Sequence, residues 1–291
     1  MPAPSIAPPA SSDPAVVALD GVGKTFANGV VALDRLDLDV RPGEFVSLLG
    51  PSGCGKSTAL RIIAGLSAPS RGRVAWGEGG AATAGPHRIG FVFQEPTLMP
   101  WATVAANVRL PLKLAGLAPD APARVDAALA RVGLDGFAQS YPRELSGGMK
   151  MRASIARALV TEPGLLLMDE PFAALDEITR HKLNDDLLAL WWKQRFTVVF
   201  VTHSVFESVY LSQRIVVMTP RPGRVFTELA IEAPHPRDER FRTSADYAGY
   251  CRLVSEALSG AIAAGGALKM DAAGAAALGS IVSKQTRSRK P

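Results

Sequence analysis

The chain has 291 residues, 47% of them hydrophobic and 20% charged, which is enough apolar material for a large buried core. Its formal net charge of +5 comes from 32 basic and 27 acidic residues, and five of the basic residues lie within residues 265–291. The body of the chain therefore lacks the charge excess of a nucleic-acid-binding protein, and its two cysteines are too few for a disulfide framework.

Short apolar runs with the length of buried strands occupy residues 16–19, 45–49, 90–93, 165–168, 197–201 and 215–218. Helical patterns between some of these runs predict an α/β sheet with both faces covered. Leu36, Leu38 and Val40 alternate with aspartates, which predicts a half-exposed antiparallel strand. Residues 104–160 contain no strong strand run and place apolar residues at helical spacing, so we expect a helical block inside the α/β frame.

Beyond Pro234 and Pro236 the pattern changes, because apolar residues from Tyr247 to Ile262 follow at spacings of three and four. This spacing predicts one amphipathic helix at about residues 240–264, which either makes a regulatory or dimer contact or simply packs on the body. No apolar run reaches the length of about 18 residues that a membrane span needs, and no secretory signal is recognisable, so a cytosolic location is expected. The expected organisation is a disordered leader at 1–15, a main domain at 16–235 with a helical subdomain at about 95–160, a helical extension at 236–264 and a flexible basic tail at 265–291.

The strand predicted at 45–49 leads directly into the residues GPSGCGKST, which match the pattern G-x-x-x-x-G-K-[ST]. Glycines let successive backbone N–H groups close around phosphates, and the helix that follows adds its positive end. In such a loop the lysine binds the outer phosphates and the following serine hydroxyl ligates Mg²⁺. The cysteine is either a small residue that fits the loop or a redox-sensitive thiol. The predicted loop comprises Gly50, Pro51, Ser52, Gly53, Cys54, Gly55, Lys56, Ser57 and Thr58.

Two acids close the apolar run at 165–168, namely Asp169 and Glu170. Acids at the carboxyl edge of a parallel sheet face the ligand crevice. We expect Asp169 to hold Mg²⁺ through its water shell, and Glu170 to orient or deprotonate the water that attacks the γ-phosphate.

A second group with the chemistry of an anion site lies between these motifs, at Ser146, Gly147 and Gly148. A helix is predicted to follow at about 150–159, which places the three residues at a helix N-terminus. A nucleotide has one γ-phosphate, so two such cradles in one chain are explained if each serves a nucleotide shared with a second copy. An ordinary serine cap with a glycine turn is the simpler alternative.

In this order and spacing the motifs resemble the ATP-binding cassette (ABC) ATPase family over residues 16–225. Residues 50–58 resemble its Walker A loop, residues 165–170 its Walker B strand with the catalytic glutamate, and residues 145–149 its signature, with Met149 in place of the commonest glutamine. The resemblance implies an α/β P-loop NTPase fold with a RecA-like α/β core, an antiparallel β subdomain and an inserted helical subdomain.

The resemblance also implies roles for residues that carry little information alone. Gln94 matches the Q-loop glutamine, which senses Mg²⁺ and the attacking water, and His203 matches the switch histidine that contacts the γ-phosphate. Residues 174–176 resemble the D-loop. Phe26 stands where the family places an aromatic that stacks on adenine, with a plain core role as the alternative. The implied cofactors are ATP and Mg²⁺, and the implied partners are a transmembrane permease, a solute-binding protein and a second copy of the chain.

Residues 91–101 and 218–224 look like the ATPases of nitrate, sulfonate and taurine importers. Met99 and Trp101 then form an apolar surface for the permease, or simply a hydrophobic cluster under the Q-loop. Ser204 departs from the acid that often follows the switch histidine. The expected function is ATP-driven solute import from the cytoplasmic face of the inner membrane, with an exporter or lipoprotein-extracting ATPase as the alternative.

Other functions of the same family fit the sequence less well. Only 51 residues, 95–145, separate the Q-loop glutamine from the signature serine, so the long coiled coils of DNA-repair cassettes are absent. Translation-factor cassettes carry two ATPase modules in one chain, whereas this chain has one. A nucleotide sensor without hydrolysis is disfavoured because Glu170 and His203 are both present.

Overall fold

A computed structural model describes residues 14–77, 89–117, 121–235 and 237–265. Except for residues 14, 15 and 265, the predicted leader and basic tail lie outside these ranges. None of the helices within the described ranges combines the length and apolar character needed to cross a bilayer. In chain order the elements are β1 Val17–Thr25, β2 Val31–Val40, β3 Phe45–Leu49, α1 Lys56–Ile63, β4 Arg71–Trp76, β5 Ile89–Val92, α2 Val104–Leu114, α3 Ala121–Arg131, α4 Gly147–Leu159, β6 Leu165–Asp169, α5 Glu177–Gln194, β7 Thr197–Thr202, α6 Val205–Leu211, β8 Arg214–Met218, β9 Val225–Ala230, α7 Glu239–Arg242 and α8 over 245–265.

A small antiparallel sheet has the strand order β2-β1-β4. The alternation predicted in β2 is confirmed, since Leu36, Leu38 and Val40 are buried and their neighbours Asp37 and Asp39 are exposed. Strand β4 was not predicted, because it is mostly exposed and includes two arginines and a glycine.

The larger sheet has the order β5-β6-β7-β3-β8-β9, in which every pair is parallel except β8 with β9. Its central strands β7, β3 and β8 are buried along their whole length and are mostly apolar, because both faces of the sheet are covered. Phe45 and Leu49 of β3 pack into the core shared with the helical block, whereas Val46 and Leu48 pack toward the small sheet and α1. The predicted mixed α/β fold is therefore confirmed.

The helices α2, α3 and α4 form the block expected within residues 104–160, and they pack on one another. A buried asparagine, Asn107, anchors the segment that precedes this block. Its Oδ1 accepts a hydrogen bond from the Met99 amide at 2.7 Å, and its Nδ2 donates to the carbonyls of Met99, Ala102 and Thr103 at 3.0–3.2 Å. These bonds fix the backbone around Trp101, whose side chain is 77% exposed.

The helix predicted at about residues 240–264 forms as α8 over 245–265, and the residues before it form a separate short helix, α7, which ends at Arg242. Ser244 causes the break, since its Oγ accepts a hydrogen bond from the Tyr247 amide and so starts a new helix. The amphipathic spacing holds within α8, where Tyr247, Val254 and Ala261 are buried. The Tyr247 hydroxyl donates to the Phe206 carbonyl at 3.0 Å, so this helix packs on the body.

Candidate nucleotide site

The loop between β3 and α1 has a backbone that glycine alone adopts without strain. Gly53 and Gly55 have φ values of 74° and 110°. A Cβ added at Gly55 would lie 2.7 Å from a methyl carbon of Leu33 and 2.8 Å from the carbonyl oxygen of Ala32. The loop is therefore pressed against β2, and it leads into the N-terminus of α1, where free backbone N–H groups can bind an anion.

Lys56 is the first residue of α1 and is only 3% exposed. Its Nζ donates to the carbonyl oxygens of Gly50 at 2.7 Å and Pro51 at 3.2 Å, and lies 3.5 Å from Oε1 of Glu170. The carbonyls and the carboxylate together compensate the buried ammonium. Lys56 is thus held at the centre of the loop, beside the acids that end β6.

Ser57 and Asp169 form a pair of oxygen ligands at the same place. The Ser57 hydroxyl donates to Oδ1 of Asp169 at 2.7 Å. Burial raises the pKa of Asp169 above its ordinary value, and the Ser57 hydrogen bond only partly offsets this rise. A desolvated carboxylate beside a hydroxyl is a donor set that suits Mg²⁺, because the cation would restore the lost charge stabilisation.

Glu170 and His203 are brought together by the parallel pairing of β6 with β7. The Glu170 amide donates to the Val201 carbonyl at 3.0 Å, and its Oε2 lies 3.2 Å from Nδ1 of His203. Glu170 has a φ of 46°, a left-handed conformation that costs a non-glycine residue on the order of 1 kcal/mol. This backbone turn directs the side chain toward Lys56 rather than along the strand.

A cleft of about 500 Å³ opens over the loop and gathers residues that are far apart in sequence. Phe26 and Gln94, to which the family resemblance gives roles in ATP binding, line it together with Lys56, Ser57 and Glu170. The other lining residues are Asn28, Val30, Ala32, Ser52, Gly53, Gly55, Thr58 and Arg221.

Arg221 is a lining residue that sequence reasoning did not assign to the site. Its Nε donates to the Gly53 carbonyl at 3.0 Å, which ties the loop after β8 to the phosphate loop. In the sequence, Arg221 stood out only as part of residues 218–224, which look like importer ATPases. That resemblance assigns no role to this arginine.

The residues Ser146, Gly147 and Gly148 do not line this cleft. Ser146 caps α4, because its Oγ accepts a hydrogen bond from the Met149 amide at 3.3 Å, as predicted. Ser146 and Gly147 are exposed, whereas Gly148 packs against the start of α5. Within a single chain, the two predicted anion cradles are therefore separate.

Cys54 does not present its thiol to the cleft. Its side chain is 1% exposed and belongs to the core beneath the loop. Burial raises the pKa of this thiol above its usual range, although neighbouring Lys56 opposes the shift. This placement favours the interpretation of Cys54 as a small residue that fits the loop over that of a redox-sensitive thiol. A reactive thiol needs exposure and a lowered pKa.

Comparison with known proteins identifies the class. The ABC transporter family profile matches residues 33–173. A putative ATP-binding protein of Brucella abortus is 49% identical over 231 residues, which cover 79% of this chain and 88% of that protein. The aliphatic sulfonates import ATP-binding protein of Bacillus subtilis is 45% identical over 215 residues, covering 74% of this chain and 82% of its own length.

The fold gives the same answer. A dimeric ATP-binding cassette in a post-hydrolysis state, with ADP and Pi bound, matches with a TM-score of 0.65 at 35% identity, covering 75% of this chain and all of that one. Fold and site together define an ATP-binding P-loop ATPase. The chain belongs to the ABC transporter family, as one of its ATP-hydrolysing proteins.

Proposed function

We propose that the chain is the ATPase subunit of an ABC importer, which drives uptake of a small solute of the nitrate, sulfonate or taurine type through a separate permease. The relative of Bacillus subtilis, named for aliphatic sulfonate import, supports the importer class. In this proposal the chain lies peripherally at the cytoplasmic face of the inner membrane. A periplasmic or extracellular solute-binding protein delivers the solute to the permease.

The hydrolytic role rests on one observation, the convergence of Lys56 and His203 on the carboxylate of Glu170. The N-terminus of α1 and the Lys56 ammonium bind the phosphates, and Lys56 then exchanges its contact with Glu170 for one with the γ-phosphate. Glu170 accepts the proton of the attacking water, and His203 holds the carboxylate in place. Gln94, which also lines the cleft, would contact the water and the metal.

Ser57, Asp169 and Gln94 would hold Mg²⁺, with Asp169 acting through the water shell of the ion. When bound, it neutralises charge on the β- and γ-phosphates as the phosphoryl group transfers. Phe26, which is 42% exposed at the rim of the cleft, stacks on adenine. The backbone N–H groups of residues 52–58 supply the remaining phosphate contacts.

Two copies close around two nucleotides, and each copy presents Ser146, Gly147 and Gly148 to the nucleotide held by the other. The exposure of Ser146 and Gly147, away from the chain's own cleft, supports this arrangement. The dimeric cassette with ADP and Pi bound offers a precedent. Closure excludes water and places further donors around the transferring phosphoryl group.

The surface offered to the permease is the exposed ring of Trp101 with its neighbour Met99. The Trp101 ring is 77% exposed, and the Asn107 hydrogen bonds to Met99 and Ala102 hold the backbone on either side of it. A Trp101→Glu substitution is expected to abolish copurification of the permease while ATP affinity stays unchanged. Leu66→Glu, at an apolar residue that is 64% exposed and lies outside the helical block, is the matched control.

Direction of transport separates the proposal from its alternative, an exporter or lipoprotein-extracting ATPase. Vesicles containing the chain and its permease should take up a labelled alkanesulfonate, taurine or nitrate only when ATP and the solute-binding protein are both present. ATP-dependent movement in the opposite direction, or movement without a binding protein, would replace the importer with that alternative.

A further inference from the structure

Arg180, near the start of α5, contacts both the turn at 174–176 and helix α6, which are far apart in the sequence. Nη2 of Arg180 donates to the carbonyl oxygen of Leu175 at 2.9 Å, within the turn at 174–176. Its Nε lies 3.6 Å from Oε1 of Glu207 in α6. The guanidinium group therefore bridges the turn and α6, and its planar shape allows both contacts at once.

Glu207 in turn controls the residues on either side of His203. Its Oε2 accepts a hydrogen bond from the Thr202 hydroxyl at 2.5 Å, and the Thr202 oxygen accepts from the Ser204 amide at 3.0 Å. The Glu207 amide donates to the Ser204 hydroxyl at 3.3 Å. Because His203 lies between these two residues, the carboxylate of Glu207 fixes the backbone from which the imidazole reaches Glu170.

The turn at 174–176 and the first residues of α5 also pack against the start of α4. A Cβ on Gly148 would lie 2.7 Å from the methyl carbon of Thr179, and one on Gly147 would lie 3.4 Å from a methyl carbon of Leu175. Asp176 caps α5 by accepting from the Thr179 amide at 2.9 Å. The exposed glycine turn is thus in direct contact with the segment that Arg180 holds.

We propose that Arg180 and Glu207 are positioning residues for ATP hydrolysis, which set the His203 loop against the turn at 174–176. The pair then transmits the approach of a second copy at Ser146 to the chain's own Glu170 and His203. This inference rests on the proposed function, because it takes Glu170 and His203 as the hydrolytic pair.

Charge and burial explain why both members are needed. Glu207 is 7% exposed, and Arg180 is its cationic partner within 4 Å among the described residues. Without Arg180, the buried carboxylate must take up a proton or move toward water, and either change alters its bond to Thr202. Lysine at position 180 keeps the charge but lacks the two separate nitrogens, Nη2 and Nε, with which the guanidinium contacts the Leu175 carbonyl and the carboxylate.

The test is the steady-state ATPase of the full chain with Mg²⁺, using Arg180→Lys and Glu207→Gln. We expect kcat to fall about tenfold in each variant while the KM for ATP changes less than about twofold, because the phosphate loop is untouched. In a His203→Ala background, the same substitutions should lower kcat by less than about twofold further. Lys182→Ala, an exposed lysine on the same helix, is the matched control and should behave as wild type.

The outcomes separate this inference from the proposal beneath it. Wild-type turnover in His203→Ala would overturn the hydrolytic role of His203. An inactive His203→Ala together with normal Arg180→Lys and Glu207→Gln would overturn only the positioning role. If the fall in kcat caused by Arg180→Lys or Glu207→Gln is as large in the His203→Ala background as in the wild type, the positioning role is also overturned. The two residues would then not act through the histidine. If Glu207→Gln fails to fold, as judged by its thermal midpoint, Arg180→Lys alone decides.

Discussion

Replacing Glu170 by glutamine tests the hydrolytic site with little change of shape. Both carboxylate oxygens are engaged, Oε1 at 3.5 Å from Lys56 Nζ and Oε2 at 3.2 Å from His203 Nδ1. The amide must therefore turn its oxygen to Lys56 and its NH₂ to His203, since the reverse places a donor against the ammonium. The backbone bond from the Glu170 amide to Val201 is unaffected. The variant keeps the site's geometry but loses its basic oxygen.

Loss of a general base lowers the rate by about 10²–10⁴-fold, equivalent to about 3–5 kcal/mol of activation free energy. ATP affinity is expected to stay equal or rise, because a negative charge next to the γ-phosphate is removed. Phosphate release at saturating Mg·ATP gives kcat, equilibrium titration with a fluorescent ATP analogue gives Kd, and gel filtration with ATP reports an accumulated dimer.

The control for this substitution is Glu256→Gln on the exposed face of α8, which should match wild type in all three assays. A Glu170→Gln protein that hydrolyses ATP within about threefold of the wild-type rate would refute Glu170 as the base. A parallel drop in ATP affinity of tenfold or more would show instead that the carboxylate supports the loop.

Three further changes probe the loop and the core. Gly55→Ala should weaken ATP binding by more than tenfold, because the added Cβ clashes with the Ala32 carbonyl and the φ of 110° strains any other residue. Gly65→Ala is the control, since Gly65 also has a positive φ of 71° but open space around it. Equal affinities of the two variants for ATP would contradict the argument. Cys54 should resist iodoacetamide at pH 7.5 in the native protein and react in urea, as mass spectrometry will show, and native labelling within minutes would place the thiol in the cleft. Burial lowers the pKa of His235 to about 4, below the unfolded value of about 6.5, so the free energy of unfolding should be constant above pH 6.5 and fall toward pH 4. Urea titrations of His235→Phe at several pH values should show a weaker dependence of this free energy on pH. Identical pH profiles for the variant and the wild type would refute the assignment.

Much of the site follows from local patterns. The phosphate loop, the acids after β6 and the serine cap of α4 are each encoded within about nine consecutive residues, where backbone conformation and helix-end chemistry act locally. The central strands were predictable for a related reason, since strands covered on both faces are apolar throughout. The mostly exposed strand β4 and the half-buried edge strand β9 were missed because their sequences alternate weakly.

The sequence by itself determined the chemistry of this protein: a lysine-bearing glycine loop, two acids at a strand end and a second glycine turn. The tertiary structure decided which of these groups meet. Parallel pairing of β6 with β7 places Glu170 beside His203, and folding brings Arg221 onto the phosphate loop. The packing of α5 on α6 places Arg180 beside Glu207. Those contacts join residues 27 to 168 positions apart. Their geometry depends on strand order and helix packing, which no local pattern specifies.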